Sequence, residues 1–168
     1  MRFSRIQSVA VSAVMAALYA ALTIVLAPIS FGLVQLRIAD ALLPLPFVLG
    51  WPMAIGLCLG CAVANVFGGL GAVDILFGSF FNLVAGLLVS NRKTCPHWIL
   101  AWLYPTLVIG LGVPAYFTAL FYQPYIVGVL SIMTSTGIVA AFGILVLFAV
   151  DRVFPAPPAK VTEEAGVS

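Results

Sequence analysis

The sequence predicts an all-α integral membrane protein that folds as a six-helix bundle. Of its 168 residues, 64% are hydrophobic and only 7% are charged, and the mean hydropathy is +1.23. A soluble domain typically has about 25% charged residues, so the surface of this protein cannot face water on all sides. The net charge of +2 and the lack of a basic run argue against binding to nucleic acid.

Six apolar stretches, each bounded by turn or loop residues, predict the transmembrane helices, because a spanning helix needs about 20 mostly apolar residues. The predicted spans are residues 9–27, 36–50, 52–67, 73–89, 98–120 and 126–150. The first is too long for the roughly 7–15-residue apolar region of a cleavable signal peptide. The second is short, and we expect Pro44 and Pro46 to bend it. Residues 1–150 therefore form one domain, and residues 151–168 a polar, disordered tail.

The distribution of basic residues predicts the orientation in the cell membrane. An even number of spans places both termini on one side. That side would hold six basic residues, namely Arg2, Arg5, Arg92, Lys93, Arg152 and Lys160, whereas the other side would hold Arg37 alone. By the positive-inside rule, both termini are cytoplasmic.

Arg37 and Asp40 form the first candidate site, at the outer mouth of the bundle. At a spacing of three residues they would share a helix face, with Asp40 near the positive end of the second span. Charges within spans are expensive and usually face a cavity or a partner. The two side chains either contact a polar ligand or simply pair with each other at the membrane interface.

The segment "ANVFGGLGAVDILFGS" supplies further polar groups at the same end. Asn65 offers both a donor and an acceptor. Asp74, at the start of the fourth span, could accept two N–H donors from a heterocycle or hold an ammonium group; alternatively, it caps the helix. Asn82 lies two turns further in, where it could line a pocket or bridge helices.

Small residues repeat every four positions along the first span. Ala13, Ala17 and Ala21 form one row, and Ala16 and Ala20 form a neighbouring row. Small side chains at this spacing allow another helix to approach closely. That helix could belong to a partner subunit or to the same chain.

Residue patterns of enzymes and metal sites are missing from the sequence. There is no G-x-x-x-x-G-K-[ST] motif for ATP, no G-x-S-x-G or H-E-x-x-H motif, and His97 lies far from the acidic residues. We interpret Cys58 and Cys61 of "CLGC" as small packing residues and Cys95 as a free thiol in a polar loop. We expect neither an enzyme nor a bound metal or cofactor.

The run "LRIADALLPLPFVLGWPMAIGLCLGCAVANVFGGLGAVDILFGSFFNLVAGLL" resembles the QueT family. These are substrate-binding S components of energy-coupling-factor (ECF) transporters for queuosine precursors. The resemblance rests on the "RI-x-[ED]-AL…LPF" and "AN-x-x-GG-x-G-x-x-D-x-x-FGS" patterns. Glutamate is usual in the family at the position of Asp40.

The resemblance implies a six-helix S-component bundle that binds a 7-deazaguanine, either the aminomethyl form or queuine. It also implies a transmembrane coupling subunit, for which Ala13, Ala17 and Ala21 would form the docking face, and two cytoplasmic ATPases. The ring N–H groups would meet Asp40 or Asp74, and its carbonyl would meet a donor on Arg37, Asn65 or Asn82. Phe77, Phe81 or the outer tyrosines would hold the flat ring. The alternative is a self-sufficient secondary transporter that uses Asp40 or Asp74 as a proton relay.

Overall fold

The computed structural model describes residues 3–31 and 35–153, and it is helical. Its elements in chain order are α1 (Arg5–Val25), α2 (Ala27–Ser30), a 3₁₀ helix (Ile38–Leu42), α3 (Pro46–Leu49), α4 (Trp51–Gly68), α5 (Ala72–Ser90), α6 (Trp98–Phe121) and α7 (Tyr125–Val153). Within these described ranges, five helices are long and apolar enough to cross a membrane: α1, α4, α5, α6 and α7. Their outer faces expose large apolar side chains such as Leu76, Leu130 and Phe142.

Close contacts at glycines show in which directions these helices run relative to one another. On α4, a Cβ at Gly56 or Gly60 would lie 2.6 Å from a carbonyl oxygen of α1, and the order of these contacts shows that α1 and α4 run parallel. Helices α4 and α5 are antiparallel across the turn at Gly69 and Gly71, where both glycines have positive φ. Helices α6 and α7 are also antiparallel, because Gly128 of α7 packs on Pro114 of α6, and the later Gly137 packs on the earlier Thr106.

The predicted second span is not one continuous helix. Its residues form the 3₁₀ helix and the single-turn helix α3, which together are shorter than the five long helices. Pro44 and Pro46 lack the amide hydrogens that a regular helix would need at these positions. Because α1 and α4 are parallel, this segment carries the chain back from the end of α1 to the start of α4. This segment, residues 36–50, runs through the protein interior and is called the inner segment below; Leu43 and Val48 are almost completely buried.

The bundle has two distinct ends. The terminal end holds the start of α1, the end of α7 and the loop between α5 and α6, and four of the five described basic residues lie there: Arg5, Arg92, Lys93 and Arg152. The guanidinium of Arg92 stacks over the ring of Phe47 at 3.7 Å from its centroid, which fixes the inner segment at this end. The opposite end, which we call the site end, holds the end of α1 and the α4–α5 and α6–α7 turns.

The long helices begin and end within a few residues of the predicted spans. Helix α7 continues to Val153, three residues beyond the predicted limit of the domain at residue 150. The remainder of the predicted tail, residues 154–168, lies outside the described residues, as do Arg2 and Lys160. Cys95 is fully buried in the α5–α6 loop rather than exposed, and burial raises the pKa of its thiol to about 11.

Candidate functional site

Five polar residues predicted from the sequence converge inside the site end of the bundle. Their side chains come from three different parts of the chain: the inner segment, α4 and α5. All are buried or nearly so, namely Arg37 (11% exposed), Asp40 (4%), Asn65 (0%), Asp74 (0%) and Asn82 (3%). Charged and amide groups are rarely buried without a partner or a function.

Asp40 is held by hydroxyl groups rather than by Arg37. The hydroxyl of Tyr19 on α1 donates to Oδ1 of Asp40 at 2.8 Å, and Oγ1 of Thr136 on α7 lies 3.5 Å from Oδ2. The predicted helical turn at Asp40 is a 3₁₀ turn that starts after Arg37. A carboxylate from the inner segment is thereby fixed between two transmembrane helices.

Arg37 forms its ion pair with Asp74 instead of with Asp40. Its Nη2 lies 3.9 Å from Oδ2 of Asp74, and its Nη1 lies 3.6 Å from the sulfur of Cys61. Oδ1 of Asp74 accepts a hydrogen bond of 2.7 Å from the hydroxyl of Tyr116 on α6. Asp74 therefore does not cap α5 through its side chain, since the N-cap is Gly71 and shows no side-chain cap bond.

Three buried polar atoms of the site have no hydrogen-bond partner in the described part of the chain. They are Oδ1 of Asn65, Oδ2 of Asp74 and Nδ2 of Asn82. The other end of the Asn65 amide donates to the backbone oxygen of Asp74 at 2.9 Å. Buried polar groups are nearly always satisfied, so these atoms are open to water or to a ligand. Asn82 is among the residues that line the inner cavity described next, whereas Asn65 and Asp74 line neither cavity.

Two adjoining cavities open at this site. The inner cavity is small, about 10 Å³, and polar side chains of the cluster line it, namely Arg37, Asp40, Asn82 and Thr136. The outer cavity is about 160 Å³, and the aromatic residues Phe31, Phe117 and Phe121 line it. Gln35 and Ile132 belong to the walls of both cavities, so the two are adjacent.

Gln35 stands at the junction of the two cavities in a strained conformation. Its φ of +43° lies in the left-handed region, which residues other than glycine rarely adopt. The hydroxyl of Ser135 donates to its carbonyl oxygen at 3.3 Å and holds it there. Backbone strain of this kind clusters at ligand-binding positions.

Phe77 and Phe81 do not line either cavity. Their rings lie against Tyr116, with centroid distances of 5.8 Å for Phe77 and 6.5 Å for Phe81. Phe81 also borders a lipid-facing groove between α5 and α6. The two rings thus support the tyrosine that binds Asp74, and their predicted role as the slot for a flat ring stays a prediction.

Comparison with models of protein families shows to which family this chain belongs. The model of the QueT transporter family matches residues 9–152. The chain belongs to the QueT transporter family. It is thus a multi-pass membrane protein of a transporter family, as the sequence patterns predicted. Comparison with curated proteins and with solved structures gives no match.

The two alanine rows of this QueT-family chain differ in their surroundings. Gly60 of α4 packs directly on Ala16, and Ala20 is buried. The row of Ala13, Ala17 and Ala21 is exposed along the outer face of α1. The row of Ala16 and Ala20 therefore packs inside the chain, and the row of Ala13, Ala17 and Ala21 stays uncovered.

Tyr19, Cys61 and Thr136 belong to the site but were not predicted from the sequence. Tyr19 looks like an ordinary apolar-span residue, and Cys61 was interpreted as a packing residue. The one available signal was helical spacing: Tyr19 lies four residues before Thr23, which is also fully buried, and these two polar residues mark the inward face of α1. Thr136 sits in the polar stretch "TST", where no single residue stands out.

Proposed function

We propose that this QueT-family chain is the membrane-embedded, substrate-binding subunit of an ATP-driven ECF importer. It captures a queuosine precursor, a 7-deazaguanine base, at the outer face of the cell membrane. The observation that carries the proposal is the convergence of Arg37, Asp40, Asp74, Asn65 and Asn82 in the interior of one end of the bundle, beside an aromatic cavity.

The chemistry of a deazaguanine matches these groups. Its ring N–H and exocyclic amine are donors that suit a carboxylate, and its carbonyl suits an amide or guanidinium donor. The site holds two carboxylates and one guanidinium, and Asn65 and Asn82 each keep one amide atom without a hydrogen-bond partner. Phe31, Phe117 and Phe121 supply flat apolar surfaces for the ring.

The proposed topology has six crossings and cytoplasmic termini. The five long helices account for five crossings, and the inner segment that returns from α1 to α4 accounts for the sixth. Irregular backbone at membrane depth is tolerated where it is buried in protein, as this segment is. Four of the five described basic residues lie at the terminal end, which supports a cytoplasmic position for that end.

The proposed partners are a transmembrane coupling subunit and two cytoplasmic ATPases. The sequence has no P-loop of its own, so ATP hydrolysis has to occur on other subunits. The exposed row of Ala13, Ala17 and Ala21 supports a docking face on α1, since small side chains let a partner helix approach closely. Transport then requires no chemical change of the base.

The proposal is tested by ligand binding to the full chain purified in detergent. Calorimetry and thermal-shift measurements would compare 7-aminomethyl-7-deazaguanine, queuine, guanine and unrelated vitamins. We expect the deazaguanines to bind and to raise the melting temperature, because a ligand that binds only the folded state stabilises it. Binding of an unrelated vitamin in place of the deazaguanines would refute the assigned substrate class.

A second measurement separates this function from that of a secondary transporter. The buried Asp40 and Asp74 are the residues that could carry a proton. Proteoliposomes containing this chain alone should show no uptake of the base, whereas addition of the coupling subunit, the ATPases and ATP should start uptake. Uptake by the chain alone that an uncoupler abolishes would establish the secondary transporter instead.

A further inference from the structure

The two adjacent cavities differ greatly in the size of the group that each can hold. The inner cavity measures about 10 Å³ and the outer about 160 Å³. A cavity needs roughly 10–15 Å³ to hold one water molecule, and an apolar cavity of about 150 Å³ holds one benzene ring. The inner cavity therefore accepts only the hydrogen-bonding atoms at one edge of a ligand, and the body of a ring lies in the outer cavity.

The polar groups of the inner cavity determine which edge fits. Nδ2 of Asn82 is a buried donor without a partner, and the guanidinium of Arg37 is a second donor on the same wall. The carboxylate of Asp40 is an acceptor on that wall. A ligand edge that carries a carbonyl oxygen next to an N–H group matches all three residues. Its carbonyl accepts hydrogen bonds from Asn82 and Arg37, and its N–H donates to Asp40.

A protonated amine fits this inner cavity less well. It would pair with Asp40, but it would also face the N–H groups of Asn82 and the positive charge of Arg37, and it offers neither of them an acceptor. Leaving buried donors unsatisfied weakens binding, because each donor loses its hydrogen bonds to water without gaining a new acceptor. The charged substituent of an aminomethyl base is therefore better placed in the outer cavity.

The wall of the outer cavity suits both a ring and a polar substituent. Phe117 and Phe121 present aromatic surfaces, with their ring centroids 5.1 Å apart. Gln35 and Gln123 add amide groups to the same wall. These amides can bind an amine or a hydroxyl group through either end of the side chain.

We propose, on the basis of the function proposed above, that the base binds with its carbonyl and N–H edge in the inner cavity and its position-7 substituent in the outer cavity. Asn82, Arg37 and Asp40 recognise the edge that all 7-deazaguanines share. The ring of the base fills the outer cavity, which is partly open to the outside, so substituents of different size and charge extend from its mouth. The subunit thus takes up several 7-substituted deazaguanines and discriminates by the pyrimidinone edge.

Calorimetry on the full chain with four bases tests this orientation. Unsubstituted 7-deazaguanine, its 7-aminomethyl derivative and queuine should bind with dissociation constants within about tenfold of one another. The analogue 7-deazaadenine, which carries an amine in place of the carbonyl, should bind at least about a hundredfold more weakly, because the site would face it with unmatched donors.

Each outcome of the comparison has a definite meaning. Binding of 7-deazaadenine as tight as that of 7-deazaguanine, or a preference of more than about a hundredfold for the aminomethyl base over the unsubstituted one, would overturn the orientation while leaving the proposed function in place. If none of the four bases binds, both the orientation and the proposed function are wrong. This comparison uses the unmodified chain, so it does not depend on the folding of a variant.

Two variants test where each part of the ligand binds. Asn82→Asp replaces a donor with an acceptor, so it should reduce the preference for 7-deazaguanine over 7-deazaadenine at least about tenfold; Asn91→Asp, in the α5–α6 loop, is the matched control. Phe121→Ala should weaken queuine more than unsubstituted 7-deazaguanine. Its control is Phe148→Ala, since these two phenylalanines are 42% and 41% exposed. An unchanged preference in Asn82→Asp, or equal losses for both bases in Phe121→Ala, would refute the orientation.

Discussion

Replacement of Tyr19 by phenylalanine tests how the buried carboxylate of Asp40 is held. Tyr19 is completely buried on α1, and its hydroxyl donates to Oδ1 of Asp40 at 2.8 Å. Tyr19→Phe keeps the ring and removes only the donor. A hydrogen bond to a charged group contributes about 1.5–3 kcal/mol, so we expect the free energy of unfolding to fall by about 2 kcal/mol.

Tyr104→Phe provides the matched control at the opposite end of the bundle. The hydroxyl of Tyr104 donates to the backbone oxygen of Thr94 at 2.6 Å, in an exposed position. This bond joins neutral groups, and water can replace the lost donor, so the expected loss is below about 1 kcal/mol. The two variants remove the same atom, and they differ in the charge and burial of the acceptor.

Denaturant titration of the purified chain in detergent micelles, followed by tryptophan fluorescence, measures both losses. A double variant with Asp40→Asn then isolates the pairwise contribution of Tyr19 and Asp40, which should be at least about 0.5 kcal/mol for residues in direct contact. If Tyr19→Phe costs no more than Tyr104→Phe, or if the pairwise contribution is zero, then the hydroxyl does not hold the carboxylate as argued.

Four further changes have defined outcomes. Asp74→Asn should weaken binding of the deazaguanine at least about tenfold, or 1.4 kcal/mol, because it removes the charge that faces Arg37. Ala17→Leu should block copurification with the coupling subunit and leave ligand binding unchanged, because Ala17 is exposed and lines neither cavity. Gly60→Ala should destabilise the chain by about 1–3 kcal/mol, since its Cβ would lie 2.6 Å from a backbone oxygen of α1. Alkylation of Cys95 should be slow at neutral pH and accelerate as the pH rises towards about 11, because burial raises the pKa of the thiol and only the thiolate reacts.

Each of these four changes has a control or a contrary outcome. Unchanged affinity in Asp74→Asn would remove Asp74 from the ligand site, and normal copurification of Ala17→Leu would place the docking face elsewhere. Gly137→Ala is the control for Gly60→Ala: its Cβ would meet only the side chain of Thr106 at 3.3 Å, so it should be tolerated. Alkylation of Cys95 as fast as that of a free thiol in solution would contradict its burial.

The long helices were predictable because a long apolar run has few alternatives in a bilayer. Five of the six predicted spans correspond to α1, α4, α5, α6 and α7, with ends that differ by a few residues. The second span was only partly predictable. The prolines at 44 and 46 indicated a bend, but nothing local showed that the segment divides into a 3₁₀ turn and one turn of α-helix inside the protein.

The candidate site was likewise predictable from the sequence only in part. Charged and amide residues in an apolar chain stand out, so Arg37, Asp40, Asn65, Asp74 and Asn82 could be selected from composition alone. The spacing of Arg37 and Asp40 suggested a pair between neighbours. The structure pairs Arg37 with Asp74 and places Tyr19 on Asp40 instead, over separations of 37 and 21 residues along the chain.

The sequence by itself therefore determined that the chain lies in a membrane, where its five long helices run and which residues are too polar to face lipid, because these depend on the transfer of single side chains or short segments out of water. The tertiary structure alone decided which of those residues meet, which tyrosine holds which carboxylate, and that a small polar cavity lies beneath a larger aromatic one. These features depend on the packing of helices that are distant in the chain. Glycine contacts between α1 and α4 set that packing, and no local pattern reports it.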